Sequence, residues 1–466
     1  MTRTCLLVLL GLSLGVFAQP TVTRGGALKK RQYQTYAPMT LYVDPTGSDS
    51  NSCTASAAEA CATLDGAIAK LPRFIRHDVT VNVAAGAYAA PLPTFAGVNI
   101  AENVTLAVLG TMVTAVPATG SAAGTTTAAT AGSSAGPATI THTGQTWTVN
   151  NLRGKFVQFT GGALSFDEPY PISANTATTL TFPSTISAGV GSTYTIVEPG
   201  STFNSTAVSS IENVSGRGVL QLKYLRVSRT GATGVYAALD STMLDMYACD
   251  IRSSTATGFI GTGSGTYYLT QGYIGSAQTG FNITDVARTP GAGGLTNSVV
   301  ISTSGPAVFF GVTAPDTAYP AETSILEGGS TSSPIVTIQR TTQATISALW
   351  ITCTGGASSV GFGTLTDVAA SSTGSLGASS RITGCGTGIR LAGRAAWSVN
   401  TTAFSSVTTA FSVSKGATLD FGNTTPTFTT VTNELQLGGV NYTFAFLNGL
   451  VAPKVITDSY GSTIIR

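Results

Sequence analysis

Residues 218–241, GVLQLKYLRVSRTGATGVYAALDS, lie over residues 242–265, TMLDMYACDIRSSTATGFIGTGSG, without a gap. Leu220 matches Leu244, Leu222 matches Met246, Leu225 matches Cys249 and Val227 matches Ile251, while Gly234-Val-Tyr matches Gly258-Phe-Ile. The period is 24 residues. A third copy, TYYLTQGYIGSAQTGFNI, follows with a slip of one or two positions. Farther on, residues 381–402 overlay residues 403–424 at a period of 22, with Ile382 on Phe404 and Gly388-Ile-Arg-Leu on Ala410-Phe-Ser-Val. Each unit holds short runs that alternate apolar and polar, separated by Gly, Ser, Thr and Asn turns, with no helical stretch between them. A unit this small cannot bury its apolar side alone; stacked on copies of itself it builds a continuous core. Leucine-rich repeats share the period, but their asparagine and helix positions are missing here, and propeller blades need about 40 residues. The pattern predicts an all-β chain, a single right-handed parallel β-helix whose equivalent positions form ladders about 4.8 Å apart from coil to coil.

Composition agrees. Only 9% of the 466 residues are charged, against about 25% in an ordinary soluble domain, and Gly, Ser, Thr and Ala take their place. With 42% hydrophobic residues the chain still has the material for a core. A net charge of +2 supplies no electrostatic footprint for nucleic acid or an anionic membrane. The first 18 residues, with Arg3, an apolar run from Leu6 to Val16 and Ala18, read as a secretory signal peptide. No later run has the roughly 18 apolar residues of a membrane span. Residues 19–38 read as a pro-segment or linker, with a processing site at Lys29-Lys30-Arg31 or simply a basic stretch. The expected location is outside the cell or on its surface. Cys53 and Cys61, eight apart around a turn, suit a local disulfide there. Cys249, Cys353 and Cys385 sit in apolar strand-like settings and read as buried small side chains. N-x-S/T sequons at Asn103, Asn204, Asn213, Asn282, Asn400, Asn423 and Asn441 permit glycosylation in a eukaryotic host.

From Leu41 to Pro72 the chain reads LYVDPTGSDSNSCTASAAEACATLDGAIAKLP: a strand, a turn and a stretch with Cys61, Leu64, Ile68 and Leu71 on one helical stripe. A solenoid needs its open end covered, so this helix is expected as an N-terminal cap, with residues 39–113 forming cap and first coils. Residues 114–140 are low-complexity and read as a flexible loop, and residues 141–199 as a small inserted β-meander. Residues 200–430 would be the main coils and 431–466 a C-terminal cap.

Taken with VTVNVAAGAY (Val79–Tyr88) and NVTLAVLG (Asn103–Gly110), the opening stretch resembles the N-terminal signature of the pectin-lyase-like superfamily. The resemblance covers about 70 residues. It implies the β-helix scaffold of pectate lyases, pectin methylesterases and phage tail spikes, and therefore a polysaccharide or glycan as partner. The tail-spike members also bring the expectation of a homotrimer, although no coiled-coil segment is visible.

The catalytic kits of that superfamily are incomplete here. Neither His77 nor His142 lies in a polygalacturonase-type setting, and the methylesterase strand is missing. Calcium-dependent lyases need an acidic cluster for the ion and an Arg or Lys base; the nearest approach is the second coil. Alternation points Gln221, Arg226, Asp245, Asp250 and Arg252 outward, with Gln221 stacked on Asp245 and Arg226 on Asp250. Tyr267, Tyr268 and Tyr273 are expected to extend that outer face. Asp245, Asp250, Arg226 and Arg252 are thus the candidate catalytic groups. Gln221, Tyr267, Tyr268 and Tyr273 are the candidate ligand contacts, since aromatic faces stack on sugar rings. The plainer reading of Arg226 and Asp250 is a surface ion pair worth under about 1 kcal/mol. Two functions follow as expectations. One is an exported β-helix protein that binds, or binds and cleaves, extracellular polysaccharide. The other is a non-catalytic adhesin or matrix protein that uses the β-helix as a rigid scaffold.

Overall fold

A computed structural model describes residues 33–162, 168–207, 209–231, 233–284, 293–311, 317–339, 343–364, 372–377, 379–414, 416–421, 426–438, 444–446, 456–458 and 463–465. The expected signal peptide and the Lys29-Lys30-Arg31 site lie outside the described residues.

Among the described residues thirty-four strands join in one system whose pairings are parallel throughout, the arrangement of a parallel β-helix. Each full coil contributes one strand to each of three faces. The first face stacks Met39–Val43, Val79–Val83, Thr105–Leu109, Val219–Lys223 and Met243–Tyr247. The second stacks Gly86–Tyr88, Ser201–Ser205, Leu225–Arg229, Asp250–Ser253, Tyr273–Ser276 and Val299–Ser302. The third stacks Asn99–Ile100, Ser209–Gly216, Val235–Asp240 and Phe259–Gly263. The repeat registers hold: Leu220 faces Leu244, Val227 faces Ile251, Ile382 faces Phe404 and Ile389 faces Phe411. Alternate residues of these strands point inward and form one continuous core. The corner between first and second faces is made by residues in the left-handed region, Tyr224, Ala248, Gln271 and Asn297 (φ 58°, 48°, 52° and 48°). A single residue of this conformation turns the strand sharply, at a cost that only surrounding packing sustains.

The expected cap helix is much reduced. Its α-helical part, α1 (Leu64–Ile68), has five residues and is capped by Thr63, whose Oγ1 accepts from the Gly66 amide at 3.0 Å. Leu64, Ala67 and Leu71 still enter the core. Ala-Ala-Glu before it forms only a 3-10 turn, because the Cys53–Cys61 disulfide (Cα–Cα 5.0 Å) fixes that segment beside the first strand. A second disulfide corrects the reading of two cysteines as isolated apolar side chains. Cys353 and Cys385 occupy adjacent coils, are joined, and have Cα atoms 5.0 Å apart. Cys249 is a free buried thiol, pushed up to about 12 by burial.

Between the first coils and the main body, residues 112–199 leave the solenoid and fold as an antiparallel unit of two sheets, one of four strands and one of five. Its own core includes Ile140, Trp147, Phe159, Tyr170, Phe182, Tyr194 and Ile196. The low-complexity segment, expected as a loop, supplies three strands of this unit: Ala123–Thr125, Ala128–Thr130 and Ala138–Thr141. Its Ala-Thr-Ile-Thr run alternates buried and half-buried, a strand pattern built from small residues. After Val431 the described strands continue the parallel stacking of the coils.

Candidate functional site

The outward positions of the second face form two columns along the solenoid. One runs Arg226, Asp250, Tyr273, Val299, Ile325, Trp350, Arg381, Ala403 and Thr427. Its neighbour runs Ser228, Arg252, Gly275, Ile301, Glu327, Thr352, Thr383, Ser405 and Thr429. Both pass from charged to apolar and back to polar. The apolar middle is where the inserted unit sits: Phe156 and Val197 of the insertion pack on Tyr273, Val299, Ile301, Ile325 and Trp350 in one cluster.

The charged end of these columns is sealed by the same contact. Asp250 is wholly buried, and Arg226 Nε and Arg252 Nε donate to its two oxygens at 2.6 and 2.9 Å. Arg226 also donates to Glu198 of the insertion at 2.9 Å, and Lys155 donates to the other Glu198 oxygen at 2.9 Å. Burial alone would raise the Glu198 carboxyl, but the hydrogen bonds from Lys155 and Arg226 outweigh it and hold the group below its ordinary range. Asp250 in turn holds the Arg252 guanidinium above its ordinary value. Gly154 of the insertion, in the left-handed region at φ +78°, lies so close that an added Cβ would stand 2.5 Å from Arg252 Nη2.

The residues singled out in sequence are therefore divided among three environments. Arg226, Asp250, Arg252 and Tyr273 form the seat of the insertion. Tyr273 stacks under Arg252 at 5.5 Å and is pushed up to about 12 by burial. Gln221 and Asp245 lie on the first face, joined at 2.7 Å, with Tyr268 beside them, its hydroxyl raised by burial. The corner at Ala248 separates Asp245 from Asp250, so the two carboxylates do not converge. Tyr267, expected outside, belongs to the core: the coil that leads from Leu244 to Tyr267 is one residue shorter than the one from Leu220 to Leu244, which sets Tyr267 on Leu244 and turns its ring inward. These groups do not fit a calcium ion either, since both oxygens of Asp250 are taken by guanidinium groups. No group of three or more His, Cys, Asp or Glu residues able to hold a metal occurs among the described residues.

Beyond the seat, the insertion overhangs the solenoid and leaves a cleft of about 600 Å³. Trp350 and Arg381 line it and hold the overhang: Trp350 Nε1 donates to the Ser133 carbonyl at 2.7 Å, and Arg381 donates to the Ala135 carbonyl. One wall carries Thr130, Thr139 and Thr181, which are direct cross-strand neighbours. The Thr130 and Thr139 hydroxyls are 2.7 Å apart. The solenoid wall carries Thr352 and Thr383, also direct neighbours. Among the described residues, those lining the cleft include no Asp, Glu, His or Cys. A cleft lined by threonine hydroxyls from both units, by Trp350 and by one guanidinium has the groups to bind a hydroxyl-rich ligand by hydrogen bonds and contact. The Cys353–Cys385 disulfide joins the two coils that form its solenoid wall. A second cavity, of about 590 Å³, lies by α1 between Tyr33, Leu71, Arg73 and Phe95, and carries no such rows.

Sequence reasoning missed the cleft because its walls come from segments some 200 residues apart. One signal was present. Val299-Val300-Ile301 and Leu349-Trp350-Ile351 are apolar at successive positions, and continuous apolar runs mark strands buried on both sides.

No family model and no curated protein matches the chain. Among solved structures it is similar to the tailspike protein gp49 of Pseudomonas phage LKA1, at 9% identity over 93% of this chain and 73% of that one, TM-score 0.25. A glycoside hydrolase matches at 9% identity over 92% and 96%, TM-score 0.27. The gp54 tailspike of Acinetobacter baumannii bacteriophage AP22, solved with a capsular saccharide, matches at 8% identity over 84% and 68%, TM-score 0.23. Superpositions this loose assign no activity to the chain.

Proposed function

We propose that the protein is an exported β-helix protein that binds an extracellular polysaccharide in the cleft between the inserted unit and the solenoid, and that it binds without cleaving. The observation that carries this reading is that two sets of neighbouring threonines, Thr130–Thr139–Thr181 of the insertion and Thr352–Thr383 of the solenoid, line one cleft together with Trp350 and Arg381. Threonine hydroxyls both donate and accept, as sugar hydroxyls do, so each can match either partner role. Two disulfides support residence in an oxidising compartment. The described residues of the cleft lining include no carboxylate or histidine to carry a proton, which supports binding over hydrolysis or elimination.

The test is binding of xylan, chitosan, alginate and polygalacturonate to the wild-type chain, to Thr383→Arg, which fills the cleft, and to Arg381→Ala. Wild-type protein binds a member of the panel, Thr383→Arg abolishes binding with melting unchanged, and Arg381→Ala weakens it roughly tenfold. Undiminished binding by Thr383→Arg overturns the site. Release of new reducing or unsaturated ends overturns the non-catalytic reading.

A further inference from the structure

We infer that the cleft takes the end of a linear glycan chain, with the rest of the chain lying along the solenoid over the C-terminal coils; this rests on the glycan-binding reading above. The direction follows from the columns. Outward hydroxyl groups continue out of the cleft toward the C-terminal coils: Thr352 and Thr383 inside, then Ser405 and Thr429 on the next two coils, half-buried and exposed respectively. Each coil thus presents one hydroxyl at the same lateral position, at the spacing of about 4.8 Å between neighbouring strands. On the insertion, Thr130, Thr139 and Thr181 cross their sheet with the same spacing. A ladder of hydroxyl groups at a fixed repeat suits a ligand that is itself a repeat, laid along the ladder.

Toward the N-terminal coils the same ladder is blocked. The position before Thr352 is Glu327, which receives Arg153 of the insertion at 2.8 Å. The position before that, Ile301, is buried under the insertion with Val299 and Ile325. A chain following the ladder therefore meets a wall of side chains after Thr352 and cannot continue. Chain length adds contacts only on the open side, over Ser405 and Thr429.

The experiment is the stoichiometry and length dependence of binding, measured by titration calorimetry with xylan, chitosan, alginate and polygalacturonate as polymers, as short oligomer series and as cyclised oligomers. The expected result is one protein per available chain end however long the polymer, with no binding of the cyclised form. Affinity grows with oligomer length as the Ser405 and Thr429 coils are reached in turn. Ser405→Arg weakens the oligomers that reach it about tenfold and leaves the shortest binding oligomer unchanged. A bound number that rises with polymer length, or cyclised oligomers bound as tightly as linear ones, overturns the inference and leaves the glycan-binding reading standing. Failure of every polymer and oligomer to bind overturns that reading, and the inference with it.

Discussion

Arg226 stands one coil from Asp250, donates from Nε to its Oδ2 at 2.6 Å, and reaches with Nη2 to Glu198 of the inserted unit at 2.9 Å. One guanidinium thus ties solenoid to insertion across a contact in which Asp250 is wholly shielded from solvent. A buried charge that loses its partner is costly, because desolvation is no longer offset. Asp250→Ala leaves Arg226 and Arg252 facing each other and is expected to destabilise the protein by about 3–5 kcal/mol in urea unfolding. Asp245→Ala, which removes only a half-buried bond to Gln221, should cost about 1 kcal/mol or less. Equal losses would mean that the insertion does not seal the second face.

Acid should loosen the same contact. Glu198 has its folded-state affinity for protons lowered by Lys155 and Arg226 against the opposing effect of burial. A carboxylate held below its unfolded value contributes stability that is fully present above the unfolded pKa, about 4.3 for glutamate. That contribution is lost as pH falls through the folded value. Between neutral pH and acid below that range, the wild-type melting temperature should therefore drop more than that of Glu198→Gln, which has no such carboxylate to protonate. Parallel curves for the two proteins would remove Glu198 from the account.

The Cys353–Cys385 bond closes a 32-residue separation between adjacent coils. Chain-entropy reasoning gives such a loop roughly 3–4 kcal/mol. Replacing both cysteines by serine should cost about that much in chemical unfolding. Because the bond joins the strands bearing Thr352 and Thr383, glycan affinity should fall as well, with no change in affinity expected from Cys53→Ser/Cys61→Ser at the far end of the solenoid.

Most of the scaffold could be read from the chain, since stacking makes position in the repeat equivalent to position in space. Leu220 over Leu244 and Arg226 over Asp250 follow from the 24-residue period alone. Tyr267 escaped because a coil shortened by one residue exchanges inward for outward, and period alone does not locate the deletion. The helix was overread because an apolar stripe from Cys61 to Leu71 also serves a disulfide-bound turn followed by one helical turn. The site itself was the least legible part. Arg153 meets Glu327 and Trp350 meets Ser133 across more than a hundred residues of chain, and no repeat relates an inserted unit to the coils it covers. Arg226, Asp250 and Arg252 looked like a catalytic wall because alternation turns them outward; that they face a second layer of the same protein depended on contacts outside the repeat.

Ligand is predicted to enter between the insertion and the second face. Hydrogen–deuterium exchange of the wild-type chain, with and without the polymer it binds best from the panel, tests this most directly. Protection is predicted in Ala128–Thr141, Gln343–Cys353 and Arg381–Thr383, the segments that line the cleft, with Val219–Lys223 and Met243–Tyr247 unchanged. Protection confined to those last two strands, where Gln221 and Asp245 lie, would contradict it.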